Sequence, residues 1–254
     1  MRWTGPAESA ALLTALPVPA RAATSTRGVL PWAPLVGLVL GGVATGVAVL
    51  GARWISPSVG AVLAVAVLAV LTRGLHLDGL ADTADGLGPV RDRERALAVM
   101  HRGDVGPFGV VALVLTLLLQ VACIAALIPA DDGWLPVWSA VVVARLAMAR
   151  TGLPGVPIAS GSSLGRAVGG TVSGAWLAGL VLVVAGLAVG VGFLLGGPVV
   201  ALRLLAAVVA ALLAAELLHR RATARLGGTT GDVMGAMAET ATTVVLLTAA
   251  ALWP

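Results

Sequence analysis

Seven long apolar segments, nearly free of charge, limit what this chain can fold into more than any other feature. They run over about residues 33–51, 58–77, 106–128, 134–151, 172–195, 199–218 and 233–253. Each approaches or exceeds the ~20 residues that a helix needs to cross a hydrocarbon core. Backbone polar groups in lipid must be satisfied within their own segment, and no run alternates polar with apolar residues as barrel strands do, so helices are expected. Composition points the same way: of 254 residues, 59% are hydrophobic and 11% charged, where a soluble domain carries about 25% charged residues. The expected fold is all-α, a polytopic integral membrane bundle of about seven transmembrane helices forming one domain over 1–254.

Arginine placement sets the expected orientation. With the N-terminus inside, Arg2, Arg21, Arg27, Arg73, Arg91, Arg93, Arg95, Arg102, Arg150, Arg166, Arg220, Arg221 and Arg225 fall on the inner side. Arg53 falls outside, Arg203 lies close to an outer helix end, and Arg145 lies within the fourth segment. This bias is the positive-inside pattern and predicts N-in. The net charge of +4 comes from dispersed arginines, with no basic stripe, so no nucleic-acid partner is expected. Residues 1–28 read as an amphipathic start in which Leu12, Leu13 and Leu16 make one interfacial turn before Pro17 and Pro19. Pro17, Pro19 and Arg21 break any apolar core that a cleaved signal would need. The single Cys123 excludes an intrachain disulfide.

Against this background the stretch His76-Leu-Asp-Gly-Leu-Ala-Asp-Thr-Ala-Asp-Gly86 stands out. It places Asp78, Asp82 and Asp85 at i, i+4 and i+7, within about 60° on one helical face. Clustered carboxylates repel unless a cation sits among them, and Mg²⁺ takes oxygen ligands, keeps several waters and bridges carboxylates to phosphates. The segment 76–104 is therefore expected to form an active-site region at the cytoplasmic face. His76 points to the opposite side of the helix, where contact with substrate and a packing role are both open.

Two further stretches carry polar groups at the same expected membrane face. Arg102 and Asp104 flank the turn Val105-Gly-Pro-Phe-Gly109, and an arginine there suits a phosphate. Gly227-Gly-Thr-Thr-Gly-Asp232 leads into a helix, offering Thr230, Gly231 and free N–H groups to an anion, with capping as the alternative use of Thr230. Asp232 is a candidate fourth metal ligand. Glu239 lies seven residues on, about 10 Å deeper by helical rise, which points to a polar cavity.

These motifs resemble those of the cobalamin synthase (adenosylcobinamide-GDP ribazoletransferase) family. The resemblance rests on His76–Gly86, on Leu13-Thr-Ala-Leu-Pro-Val-Pro19, on Val105–Gly109, and on Thr230-Gly-Asp-Val-Met-Gly-Ala236 with Glu239, in the family's order. The chain departs from the family pattern at Ala159–Gly165, where an arginine and a glutamate are replaced. The resemblance implies a multi-pass inner-membrane enzyme of adenosylcobalamin (vitamin B12) synthesis, its active site facing the cytoplasm. It implies transfer of adenosylcobinamide phosphate from adenosylcobinamide-GDP to a hydroxyl of α-ribazole or α-ribazole 5′-phosphate, with release of GMP and a requirement for Mg²⁺.

Carried onto this sequence, Asp78, Asp82, Asp85 and Asp232 are the expected metal ligands, and Asp82 or Asp85 the base. His76, Arg102, Asp104, Thr230, Gly231 and Glu239 are the expected substrate and phosphate contacts. A homo-oligomer is compatible with this reading. Two alternatives use the same residues. A CDP-alcohol phosphotransferase also clusters aspartates, but the position after Ala81 holds Asp82 where that motif has arginine. A transporter would place its acidic site near the midplane and often shows inverted repeats, which this chain lacks.

Overall fold

The computed structural model describes residues 4–88 and 92–253. Arg2 and Arg91, two of the arginines that set the expected orientation, lie outside the described residues. The remainder is helical, and the one β-bridge among the described residues pairs Ile158 with Thr229. The helices in chain order are α1 Gly5–Leu13, α2 Ala33–Trp54, α3 Pro57–Leu71, α4 Leu75–Leu87, α5 Arg93–Met100, α6 Pro107–Leu127, α7 Trp134–Ala149, α8 Ser163–Val168, α9 Gly174–Leu226 and α10 Gly231–Leu252.

Helices α7 and α10 form the centre. Ala140–Ala149 of α7 is buried without interruption, and α10 packs against α4, α6, α7 and α9. Around them, α2, α3, α6 and α9 turn large apolar side chains outward, among them Val39, Val62, Leu118 and Leu182. Such a surface is unstable in water and suits lipid. Four helices are long and apolar enough to cross a membrane, and a fifth crossing arises if the bent pair α3 and α4 counts as one. Small residues let the helices approach closely: a side chain at Gly51 of α2 would strike the Gly60 backbone of α3.

Helix α9 holds two of the expected segments. Straight, its 53 residues would extend about 80 Å, far beyond a bilayer core. The chain instead breaks at Gly197, whose φ of 76° and ψ of −170° suit glycine alone. The two arms fold back on each other, since Gly192 packs against the Ala201 backbone.

Two expectations need correction. The N-terminal segment is not an amphipathic surface turn. Its helix starts earlier, at Gly5, and is drawn into the body, with Leu13 buried, Ser9 Oγ donating to Val29 O at 2.8 Å and Glu8 Oε2 accepting from Gly28 N at 2.8 Å. The segment 58–77 is not one helix running into the aspartates. It ends at Leu71, and Arg73 (φ 54°) and Gly74 (φ 68°) turn the chain through left-handed backbone. Arg73 Nη2 ties this turn to Leu12 O at 2.9 Å. Helix α4 then departs at 90° from α3, so the aspartates ride on a helix that lies across the bundle.

Candidate active site

The site is built where α4 crosses the start of α10. A side chain at Gly79 would strike the backbone of Asp232, its β-carbon only 2.6 Å from Asp232 O, and one at Gly235 would crowd the His76 backbone at 3.1 Å. Glycine at both positions lets the two backbones touch. That contact brings Asp78 and Asp82 of α4 into electrostatic range of Asp232 of α10. Asp82 stands one turn beyond Asp78 on α4. Its partial burial, together with the carboxylates of Asp78, Asp232 and Asp85, raises its pKa to about 7. Like charges held this close disfavour one another's ionisation.

Asp85 stands apart from the other two aspartates of the motif. It is buried, and its carboxylate accepts from Gly106 N at 2.7 Å and Gly109 N at 3.0 Å. It caps the first turn of α6, satisfying donors that a helix start leaves open. A β-carbon at Gly106 or Gly109 would collide with this carboxylate. The glycines of Val105–Gly109 thus serve Asp85, and the turn is a receptor for the first motif.

The Thr230–Asp232 entry is also capped. Thr230 Oγ1 accepts from Val233 N at 3.1 Å, and its side chain hydrogen-bonds the Asp232 carboxyl. The preceding backbone is engaged: Thr229 N donates to Pro157 O at 2.8 Å, and Ala159 N donates to Thr229 O at 3.1 Å. These bonds lay the 153–162 loop beside the α9–α10 linker. Gly161, at φ 82°, then brings the loop against the ring of His101. His101 acts electrostatically on Asp232. No spacing pattern marks His101 in the sequence, because it follows α5 and reaches the site only through the chain's return from α4. Arg102 and Asp104 are exposed in the turn after it.

His76 and Glu239 fall elsewhere. They line a separate small cavity with Arg145 and Gln120. Arg145 is buried, with Nη2 3.4 Å from His76 Nδ1. Gln120 Nε2 donates to Glu239 Oε2 at 2.9 Å and to Thr243 Oγ1 at 3.1 Å. The expected substrate contacts of His76 and Glu239 are therefore corrected: both belong to a buried network joining α4, α6, α7 and α10.

A family model described as cobalamin-5-phosphate synthase matches residues 7–250. The chain belongs to this family. Curated relatives named adenosylcobinamide-GDP ribazoletransferase include one from Frankia casuarinae, 40% identical over 96% of this chain and 93% of its own. Another, from Chlorobaculum parvum, is 38% identical over 95% and 92%. A third, from Brevibacillus brevis, is 34% identical over 87% of each chain. No solved structure matches the chain. The matched residues 7–250 include the α4–α10 crossing and the loop that carries Gly161.

Proposed function

We propose that this chain is an adenosylcobinamide-GDP ribazoletransferase. It transfers adenosylcobinamide phosphate to α-ribazole, or to its 5′-phosphate, and releases GMP. The observation that carries this reading is the α4–α10 crossing, which gathers three carboxylates from distant parts of a chain matching the family over nearly its full length. Neither the transporter nor the CDP-alcohol alternative is favoured by that match.

The donor set fits Mg²⁺. Asp78, Asp82 and Asp232 offer hard oxygen ligands, and their mutual repulsion is what a divalent cation relieves. Among the described residues no group of three or more His, Cys, Asp or Glu side chains is placed to hold a metal ion by itself. An open set suits Mg²⁺, which takes one or two carboxylates and completes its shell with water and substrate phosphate. When bound, the ion neutralises charge on the diphosphate and on departing GMP. Asp82 accepts the proton of the attacking hydroxyl. That hydroxyl oxygen bonds to the cobinamide-linked phosphorus as the bond to GMP breaks. Asp85 holds α6 against α4 and so fixes the aspartate helix. His101 orients Asp232, and Arg102 with the Thr230–Gly231 turn contacts phosphate.

In the membrane, α2, α3, α6, α7, the two arms of α9 and α10 make seven crossings, with the N-terminus and the aspartates at the cytoplasmic face. The arginine bias supports this orientation, as does the cytoplasmic supply of large polar substrates. The test is incubation of the purified chain with adenosylcobinamide-GDP, α-ribazole and Mg²⁺. GMP and a cobalamin product are expected in equal amounts; release of neither would refute the reading.

A further inference from the structure

An apolar groove of about 450 Å³ runs between α2, α7 and both arms of α9. Val184 and Leu204 are buried along its floor, and Leu38 and Leu187 are exposed along its rims. It follows the first arm of α9 from Trp176 to Val191, about 22 Å by helical rise. One leaflet of a bilayer core is about 15 Å deep. Tryptophan pairs mark its ends. Trp32 and Trp176 stand 5.6 Å apart between ring centroids where α2 and α9 begin, and Trp134 and Trp138 stand 5.9 Å apart where α7 begins. In the proposed orientation these are the cytoplasmic and the opposite ends, and tryptophan gathers at such interfaces.

The groove's hydroxyl and two of its indole N–H groups are taken up within the chain. Ser139 Oγ donates to Pro136 O at 3.1 Å, Trp138 Nε1 to Leu38 O at 2.9 Å and Trp176 Nε1 to Pro31 O at 3.0 Å. Charge lies instead at the cytoplasmic mouth. Thr26 Oγ1 donates to Ala167 O at 2.6 Å, which brings the neighbouring Arg27 and Arg166 to one rim. Both are exposed, and neither enters an ion pair among the described residues. No Asp or Glu occurs over residues 9–32 or 151–176. Glu8, which reaches this segment from α1, is buried and accepts from Gly28 N at 2.8 Å. The positive-inside bias accounts for arginine in a cytoplasmic loop. It does not account for two that meet, without a carboxylate, at the mouth of an apolar groove.

We propose that this groove holds an acyl chain of a phospholipid with a net negative headgroup, whose phosphate meets Arg27 and Arg166. The apolar walls take the chain without leaving a polar group unpaired. Arginine binds phosphate through charge-assisted hydrogen bonds, and basic sites between transmembrane helices on the cytoplasmic side suit anionic headgroups. A zwitterionic lipid offers the same chain and phosphate but adds a cation that the two arginines repel. A free phosphate lacks the chain. The bound lipid ties the turn before α2 to α8 and the start of α9. That segment is joined in turn to the end of α7, since Val172 N donates to Gly152 O at 3.0 Å, just ahead of the 153–162 loop. The assignment goes beyond the ribazoletransferase reading and uses only the proposed orientation in the membrane.

The experiment places the full-length chain in phosphatidylcholine vesicles that contain a minor share of either brominated phosphatidylglycerol or brominated phosphatidylcholine. Bromine on an acyl chain quenches the fluorescence of tryptophans that the chain touches, and four tryptophans line the groove. Trp54→Phe serves as the parent protein, because it removes an exposed tryptophan outside the groove. Brominated phosphatidylglycerol is expected to quench at a mole fraction at least about fivefold lower than brominated phosphatidylcholine. Arg27→Gln with Arg166→Gln, both at exposed positions, is expected to bring the two lipids within about twofold of each other. Ala188→Phe, which fills the groove, is expected to reduce quenching by both lipids; if it does not fold, the arginine variant decides. Glycerol 3-phosphate is expected to leave the lipid in place. Equal quenching by the two lipids in the parent overturns the assignment, and so does an undiminished preference in the arginine variant. Unchanged quenching in folded Ala188→Phe, or full displacement by glycerol 3-phosphate, overturns it as well. None of these readings needs turnover, so failure of the lipid site and failure of the ribazoletransferase reading are told apart by GMP release from the same vesicles.

Discussion

The same two helices carry two charged regions with opposite character. Near their crossing, Asp78, Asp82 and Asp232 face one another's charge with no cation of the protein paired to them among the described residues. Deeper, His76 and Glu239 of these helices meet Arg145 and Gln120, where the Arg145 and Glu239 charges are opposite, while His76 Nε2 and Arg145 Nε have no hydrogen-bond partner among the described residues. The first region destabilises the fold through mutual repulsion, which the proposed cation would relieve. The second region stabilises the helix arrangement from within. Polarity inside a membrane bundle therefore does not mark a catalytic role by itself; an unmatched charge does.

The largest effect should come from the unmatched region. Asp82→Asn is expected to lower the rate of GMP formation by about 10³-fold or more, as loss of a general base combined with a metal ligand would. Its thermal unfolding temperature should stay the same or rise, because a repelling carboxylate is gone. Wild-type turnover in this variant would show that the region is matched in some other way. The converse holds for Arg145→Met. Removing one partner from a buried charged network is expected to cost about 3–5 kcal/mol of stability. Denaturation in detergent and yield of folded protein would register the loss, and the folded fraction should keep activity per molecule. A large fall in specific activity at normal stability would move Arg145 to the catalytic side of the comparison.

Gly106→Ala probes the link between the regions. Its β-carbon would collide with Asp85, so a loss of about 1–3 kcal/mol is expected from overpacking, with reduced activity because α4 shifts. Gly103→Ala, in the same turn but in open space with φ 73°, should spare the Asp85 contact and act only through backbone strain. The smallest effect concerns pH. Asp82 titrates at about 7 in the folded chain, against about 3.9 when unfolded. Between these values the folded state holds the extra proton, so stability of the metal-free protein should fall as pH rises from about 4 to about 7. Below that window the group is neutral in both states and contributes nothing. Melting curves should show this slope in EDTA, and Mg²⁺ or Asp82→Asn should flatten it.

Much of the fold is legible in the sequence because lipid imposes a simple rule on apolar length. Each of the seven expected segments has a helical counterpart, including the break near residue 197 that divides α9. The turn at Arg73–Gly74 is not legible, since an apolar run predicts a helix but does not show where left-handed backbone will bend it. Spacing reveals the aspartates of α4, and a glycine-rich approach reveals Asp232. The division of labour among them stays hidden. Asp85 lies on the same helical face as Asp78 and Asp82, and only the return of α6 turns it into a cap. His76 and Glu239 mislead for a similar reason: their partner Arg145 arrives from α7, nearly seventy positions beyond His76.

We take Asp232 to join Asp78 and Asp82 in a single cation site across the α4–α10 crossing. Titration of Mn²⁺ into the purified chain, followed by electron paramagnetic resonance of the free ion, tests it directly. Asp232→Asn is expected to weaken Mn²⁺ binding as strongly as Asp78→Asn, at least tenfold, while Asp104→Asn leaves it unchanged. Wild-type Mn²⁺ affinity in Asp232→Asn would contradict the claim.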